Sequence, residues 1–117
     1  MTKILLVDDD PITKTLLKTL LEMEGFKVTP WDLGTDVIEH LQALKPDLVV
    51  MDVNLNGLNG IDVLRDIRAE EKFQDLRVIM SSGMNYQEEC KKEGADGFLL
   101  KPYMPDDLIK LIRHNLS

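Results

Sequence analysis

The chain is poor in cysteine and histidine, and this scarcity excludes several classes of function. Its single cysteine, Cys90, rules out an intrachain disulfide and any metal site built from several cysteines. The two histidines, His40 and His114, form no zinc-binding motif. The apolar run at residues 4–7 stops at three aspartates and is too short for a signal-peptide core or a membrane span. We therefore expect a cytoplasmic protein that has no membrane partner.

Positive charge is also scarce. The 14 Lys and Arg residues stand against 21 Asp and Glu residues, which gives a net charge of −7 at pH 7 and a pI near 4.7. Nucleic-acid binding depends on the neutralisation of phosphates by Lys and Arg, so we expect no direct nucleic-acid partner. The 44% of hydrophobic and 30% of charged residues are typical of a globular protein, and a length of 117 residues predicts one domain, 1–117.

Five strand-like runs alternate with five helix-like segments along the chain. The predicted strands are residues 3–7, 26–31, 47–51, 77–81 and 98–100, and the third ends at Asp52. In the third run, residues 48–51 are continuously apolar, which predicts the central strand, whereas Pro30 marks the second strand as an edge. This alternation predicts an α/β fold with a doubly wound five-stranded parallel sheet and helices on both faces.

The helices have recognisable boundaries and apolar stripes. Asp10 before Pro11 predicts the start of the first helix, and Gly25 predicts its end. The apolar stripe expected to face the core in this helix consists of Ile12, Leu16, Leu17, Leu20 and Met23. We predict a loop at residues 53–60 between the third strand and the third helix, and a fifth helix that opens at Pro105.

Polar side chains follow four of the predicted strands at their carboxyl ends. The first strand ends in Asp8, Asp9 and Asp10, the third in Asp52, the fourth in Ser81, Ser82 and Gly83, and the fifth in Lys101 with Pro102. In doubly wound sheets, ligands bind outside this edge, where the strand order reverses. Because Asp10 precedes Pro11, we assign it to a helix cap and exclude it from the site.

The remaining carboxylates predict a metal site. Carboxylates that are brought together resist joint ionisation, and a hard divalent cation that binds oxygen relieves their repulsion. Mg²⁺ is the expected ion, because it binds one or two carboxylates and leaves positions for water and for a phosphate oxygen. The group of residues therefore suits the chemistry of a phosphoryl group.

Phosphoryl transfer needs positioning, charge neutralisation and an in-line nucleophile, and a carboxylate becomes that nucleophile by forming an aspartyl phosphate. Asp52, at the end of the central strand, is the candidate nucleophile. Lys101 is expected to neutralise one phosphoryl oxygen, and the Ser82 hydroxyl is expected to donate a hydrogen bond to another.

These residues resemble the receiver domain of two-component response regulators, and the similarity extends over essentially the whole chain. The motifs are Val-Asp8-Asp9, Val-Val-Met-Asp52 with Gly60 eight residues later, Val-Ile-Met-Ser81-Ser82-Gly83, and Gly-Ala-Asp-Gly-Phe98-Leu-Leu-Lys101-Pro102. Each motif is common by itself, but the combination is specific. The chain is similar to stand-alone, chemotaxis-type regulators, and the resemblance implies a flavodoxin-like receiver fold with strand order 2-1-3-4-5.

The resemblance also implies a metal site in which Asp52 is both the phosphoacceptor and a ligand of Mg²⁺. Asp9 would bind the ion directly and Asp8 through water. The backbone carbonyl of Asn54 would be a further ligand.

Other roles follow from the same resemblance. Lys101 corresponds to the phosphate-binding lysine of the family, and its peptide bond to Pro102 is expected to be cis. Ser82 and Phe98 correspond to the switch pair, which remodels the face formed by the fourth helix, the fifth strand and the last helix.

The implied function is phosphorylation-controlled signalling. A sensor histidine kinase or a phosphotransfer protein would phosphorylate Asp52 in a Mg²⁺-dependent reaction, and the switched face would bind a separate downstream effector protein. We expect no enzyme in the usual sense, since the chain would catalyse only its own phosphorylation and dephosphorylation. The chain ends at Ser117, directly after the last predicted helix, so we expect a stand-alone regulator or phosphorelay intermediate, although a receiver excised from a longer protein would have the same sequence.

Two other classes of protein share parts of this pattern. Haloacid dehalogenase enzymes use an aspartyl nucleophile after the first strand, but residues 8–12 lack the Thr of the Asp-x-Asp-x-Thr motif, and the chain has no room for a cap over a substrate. A flavodoxin-like electron carrier needs a loop that accepts the flavin phosphate, and an acidic first loop repels it. Turnover of an added phosphate ester, or a coloured purified protein, would indicate these alternatives.

Overall fold

The computed structural model describes residues 1–32 and 34–116; the chain end, Ser117, lies outside the described residues. In chain order the strands are β1 (Lys3–Val7), β2 (Lys27–Pro30), β3 (Leu48–Asp52), β4 (Asn54–Leu55), β5 (Leu58–Asn59), β6 (Arg77–Ser82) and β7 (Gly97–Leu100). Five of them form one parallel sheet in the order β2-β1-β3-β6-β7, while β4 and β5 form a separate antiparallel pair. For the five strands of the large sheet, this is the predicted order 2-1-3-4-5.

Helices cover both faces of the sheet, as the alternation of strands and helices predicts. They are α1 (Pro11–Met23), α2 (Val37–Leu44), α3 (Gly60–Ala69), α4 (Gln87–Lys92) and α5 (Pro105–Leu116). One core contains Leu17 and Leu21 of α1 with Leu108 and Ile112 of α5. The opposite core contains the buried side chains of α2, α3 and α4. The α/β, doubly wound architecture is therefore confirmed.

The strands follow their sequence. All of β3 is buried, and β1 is buried after Lys3, because both faces of a doubly wound sheet are covered by helices. β2 lies at the edge of the sheet and ends at Pro30, where a missing backbone N–H costs no ladder hydrogen bond. Within the described residues, no helix is both long enough and apolar enough to cross a bilayer.

The apolar stripe predicted for α1 is partly wrong. Leu17 is buried and Leu20 is half-buried, but Ile12, Leu16 and Met23 are 80%, 54% and 75% exposed. The face that packs on the sheet is centred on Leu17 and Leu21, four residues apart, and the exposed residues lie on the other side of the helix. Because α1 has more apolar residues than one face needs, two of its faces have the apolar pattern that is typical of a face packed on the core.

The loop predicted at residues 53–60 is also wrong in part, because it contains the β4–β5 hairpin. Leu55 pairs with Leu58, and Asn54 pairs with Asn59. The two residues between the strands are Asn56 and Gly57, and Gly57 has φ +79°, a conformation that glycine adopts without strain. An Asn-Gly pair between two leucines is a hairpin signal that the sequence analysis overlooked.

Candidate functional site

The acidic side chains of the predicted site converge at the carboxyl ends of β1 and β3. Val7 of β1 pairs with Met51 of β3, so the next residues, Asp8 and Asp52, lie side by side at the carboxyl ends of the two strands. Both are buried, with exposed fractions of 4% and 8%, whereas Asp9 is half-buried. Asp8, Asp9 and Asp52 each offer a carboxylate oxygen, and these oxygens lie within 4.8 Å of one another.

Lys101 provides the positive charge in this cluster. Its Nζ donates a hydrogen bond to Asp52 Oδ2 at 2.9 Å and lies 3.6 Å from Asp8 Oδ2. The backbone positions the side chain, because the Lys101 N–H donates to the Ser82 carbonyl at 2.8 Å. The peptide bond between Lys101 and Pro102 is cis.

The cluster perturbs the ionisation of its members. Burial raises the pKa of Asp8, and the nearby charges of Asp52 and Asp9 act in the same direction, while a backbone N–H from Asp10 and the charge of Lys101 offset part of the effect. Burial by itself would lower the pKa of Lys101, but the hydrogen bond and charge of Asp52, with the charge of Asp8, raise it overall. The folded protein therefore keeps Lys101 charged and disfavours the ionised form of Asp8.

The donor set fits a hard divalent cation. Three carboxylates with only one lysine leave an excess of negative charge that a cation would neutralise, and their oxygens are close enough to share one ion. Asn54 lies two residues after Asp52 in the chain, and its N–H donates to Asp52 Oδ1 at 3.3 Å. Asn54 as a whole is exposed, and it pairs with Asn59 in the β4–β5 hairpin.

Gly60, which begins α3, packs against the backbone of Asp52. A Cβ at position 60 would overlap the Asp52 carbonyl oxygen and come within 2.9 Å of Val53 Cα. The Gly60 N–H donates to the Val53 carbonyl at 2.6 Å. Glycine at this position therefore lets α3 start directly against the end of β3, which explains its place in the motif that contains Asp52.

Ser82 and Phe98 lie on neighbouring strands and on the same face of the sheet. Phe98 pairs with Met80, two residues before Ser82, and both Met80 and Phe98 pack in the core formed with α2, α3 and α4. Ser82 is fully buried, and its Oγ accepts a hydrogen bond from the Met84 N–H at 3.1 Å. Phe98 is half-buried.

Asp10 lies outside the cluster and caps α1, as the sequence predicts. Its side chain accepts hydrogen bonds from the Ile12 N–H at 3.2 Å and from the Thr13 hydroxyl at 2.6 Å. Ser81 is buried, and its carbonyl accepts a hydrogen bond from the Val53 N–H at 2.8 Å, so its backbone joins β6 to the residue after Asp52.

An apolar surface that was not predicted from the sequence lies next to the acidic cluster. Ile12 and Leu16 are exposed on α1. Ile12 lies two residues after the cap Asp10, and Leu16 lies about one helical turn further along. A groove beside them is lined by Thr13, Leu16 and Leu17 of α1 and by Lys101, Pro102, Tyr103 and Pro105 after β7. The sequence of α1 did contain a sign of this surface. The helix has more apolar residues than one buried face requires, so some of them have to be exposed.

Comparisons with known proteins agree with this geometry. The family model described as the response regulator receiver domain matches residues 4–113. The nitrate/nitrite response regulator protein NarL of Escherichia coli K12 is 38% identical over 114 residues, which cover 93% of this chain and 52% of NarL. The chain spans about half the length of the curated relatives it matches.

Solved structures show the same fold. The chemotaxis response regulator CheY4 of Vibrio cholerae superposes with a TM-score of 0.89 over 98% of both chains, at 24% identity. The response regulator TrrA of Thermotoga maritima, solved in complex with Mg²⁺ and BeF, superposes with a TM-score of 0.86 over 98% of this chain and 99% of TrrA, at 28% identity.

Proposed function

The chain belongs to the response regulator receiver domain family, and we propose that it accepts a phosphoryl group on Asp52 from a sensor histidine kinase or a phosphotransfer protein. The observation that carries this proposal is the 2.9 Å hydrogen bond from Lys101 Nζ to Asp52 Oδ2, inside a cluster that also contains Asp8 and Asp9. Asp52 is the acid nearest to the lysine. It therefore has the charge partner that a transferred phosphoryl group requires.

The proposed transfer would use Asp52 as the nucleophile, with Lys101 and Ser82 as partners of the phosphoryl oxygens. An ionised oxygen of Asp52 attacks the phosphorus of a donor phosphohistidine in line with the P–N bond; a P–O bond forms, the P–N bond breaks, and the imidazole leaves with a proton from solvent. Lys101 would bind one phosphoryl oxygen, and the Ser82 hydroxyl would donate a hydrogen bond to another.

Mg²⁺ is the cofactor that the acidic cluster fits best. Asp8, Asp9 and Asp52 would hold the ion, with Asp8 acting through water and the Asn54 backbone carbonyl as a further ligand. When bound, Mg²⁺ would neutralise the charge of the phosphoryl oxygens during transfer. The support from this chain is the short separation of the three carboxylates and their net negative charge.

Phosphorylation would be transmitted through Ser82 and Phe98. Ser82 Oγ now accepts a hydrogen bond from the Met84 N–H, and it would turn to donate to a phosphoryl oxygen. Phe98 would then move into the vacated space, which would remodel the face formed by α4, β7 and α5 for a separate downstream effector.

Exposed Ile12 and Leu16 support a docking face for the phosphodonor. The donor histidine has to bring its phosphorus to Asp52, so the surface around it has to cover the carboxyl edge of the sheet and the start of α1. Apolar side chains at that position favour a protein donor. The net charge of −7 argues against a direct nucleic-acid partner, and we propose a cytoplasmic location, as the family implies.

The chain would catalyse only its own phosphorylation and dephosphorylation at Asp52. Titration with beryllium fluoride, which mimics a phosphoryl group, tests this site without a partner protein. We expect a protein-bound ¹⁹F resonance only when Mg²⁺ and beryllium fluoride are both present, and none with Asp52→Asn. A bound resonance of wild-type intensity in Asp52→Asn would exclude Asp52 as the phosphoacceptor.

A further inference from the structure

Two Asn-Gly pairs occur in the segment that follows Asp52: Asn56 with Gly57, and Asn59 with Gly60. When glycine follows asparagine, no Cβ hinders the approach of the glycine nitrogen to the side-chain carbonyl carbon of asparagine. Sequence alone therefore gives both asparagines the same chemical reactivity. The fold places the two pairs in different environments.

The second pair is held by hydrogen bonds. The Gly60 N–H donates to the Val53 carbonyl at 2.6 Å, and the Asn59 side-chain oxygen accepts from the Ile61 N–H at 2.9 Å as the cap of α3. Gly60 is also buried against the Asp52 backbone. Both groups that would have to react are engaged, so Asn59 is protected in the folded chain.

The first pair has none of these restraints. Asn56 and Gly57 are exposed at the tip of the β4–β5 hairpin. Within the described residues, neither the Asn56 side chain nor the Gly57 N–H makes a hydrogen bond. Open space surrounds Gly57, since a Cβ placed there would meet no atom within 4 Å. Both reacting groups are therefore free and accessible to water.

We propose that Asn56 is a modification site at which the folded protein deamidates spontaneously and selectively. The Gly57 nitrogen attacks Asn56 Cγ, a C–N bond forms, the bond to the side-chain nitrogen breaks, and ammonia leaves with the proton of the Gly57 N–H. Water then opens the cyclic imide at either carbonyl. The product at position 56 is aspartate or isoaspartate, and each adds one negative charge.

The modification reaches the proposed metal site through the hairpin, and this part of the inference rests on the proposed function. Isoaspartate inserts an additional methylene into the backbone of a two-residue turn, which disturbs the pairing of Leu55 with Leu58. Asn54 lies next to Leu55, and its N–H bonds to Asp52. Displacement of this strand would weaken the binding of Mg²⁺.

Peptide mass spectrometry of the full chain tests the modification directly. After incubation of the folded wild type in mildly alkaline buffer, fragment ions should show the mass change of NH₂ replaced by OH at Asn56 and not at Asn59. Isoaspartyl methyltransferase should label the wild type but not Asn56→Gln. The longer glutamine side chain cannot form the five-membered imide with the next backbone nitrogen. An unchanged Asn56, or equal conversion at the two positions, would overturn the proposal.

The unfolded chain is the control for the role of the fold. In guanidinium chloride both asparagines should convert at similar rates, because the hydrogen bonds that protect Asn59 are lost. If Asn59 remained unmodified in the unfolded chain, its protection would come from the local sequence and the structural argument would be wrong.

Thermal unfolding with and without Mg²⁺ tests the link to the metal site. Aged wild type should lose part of the increase in Tm that Mg²⁺ gives to fresh wild type, whereas aged Asn56→Gln should retain it. Equal Mg²⁺ responses in the two aged proteins would overturn the link. A fresh wild type with no Mg²⁺ response would contradict the proposed function, while the peptide masses would still decide whether Asn56 is modified.

Discussion

Lys101 and Asp52 form the closest ion pair of the acidic cluster, with 2.9 Å between Nζ and Oδ2, although 49 residues separate them in the chain. The pair joins the end of β7 to the end of β3, and β6 lies between these two strands in the sheet. Lys101 contributes to the electrostatic balance of this edge, and under the proposed function it would also bind a phosphoryl oxygen.

Replacement of Lys101 separates these two contributions. We expect Lys101→Met to lower the free energy of unfolding by about 2 kcal/mol, less than for a fully buried pair because the lysine side chain remains 29% exposed. Phosphorylation of Asp52 by acetyl phosphate should slow about a hundredfold, the usual cost of one lost donor in such a site. Chemical unfolding and intact-mass time courses measure the two effects.

Lys110→Met is the matched control, because Lys110 is an exposed lysine on α5, away from the cluster. It should leave both quantities unchanged. A Lys101→Met protein that takes up phosphate at the wild-type rate would contradict the assigned role.

Asp8 is the acid whose neutralisation should stabilise the metal-free protein. Because burial raises its pKa, Asp8→Asn should increase the free energy of unfolding in EDTA at neutral pH, by about 1 kcal/mol. As the pH falls through the raised pKa, folded wild type takes up the proton and this advantage should disappear. Asp8→Asn should also abolish the stabilisation by Mg²⁺.

Thermal unfolding across pH measures this effect, and Asp75→Asn, at an exposed acid, is the control. A Mg²⁺ response of wild-type size in Asp8→Asn would show that the ion binds elsewhere.

The fold could be predicted largely from sequence, because the buried central strand is almost entirely apolar and because α1 begins at a clear cap, Asp10 before Pro11. The convergence of Asp8, Asp52 and Lys101 was also predictable, since all three lie at the carboxyl ends of strands that belong to one parallel sheet. The core face of α1 was not, because Ile12 and Leu16 satisfy the same periodicity as Leu17 and Leu21. Only packing against the sheet decides which of the two faces is buried.

Ser82 should be required for signal transmission and dispensable for phosphorylation. Ser82→Ala removes the hydroxyl that would bond to the phosphoryl oxygen but keeps Asp52 and Lys101. It should still accept phosphate, while the phosphorylation-induced chemical-shift changes at Phe98, Cys90 and Tyr103 become smaller.

Ser81→Ala is the matched control, since Ser81 is buried next to Ser82. It should preserve the shifts of the wild type. Shifts of wild-type size in phosphorylated Ser82→Ala would mean that the switch does not depend on this hydroxyl.

The exposed apolar residues at the start of α1 should matter only for a protein donor. The double replacement Ile12→Ser with Leu16→Ser should slow transfer from a phosphorylated phosphotransfer protein about tenfold, since it removes apolar contact area. Phosphorylation by acetyl phosphate should be unchanged, because a small donor needs no docking face.

Met23→Ser provides the control at the far end of the same helix, where the side chain is 75% exposed. Equal effects of the double replacement on both donors would place the damage in the site and exclude a docking role.

The intact mass of the protein after treatment with acetyl phosphate and Mg²⁺ tests the central claim most directly. We predict that wild type gains the mass of one phosphoryl group, that EDTA prevents the gain, and that Asp52→Asn gains none under the same conditions. Equal labelling of the wild type and Asp52→Asn would contradict the account and would indicate that Asp8 or Asp9 accepts the phosphoryl group.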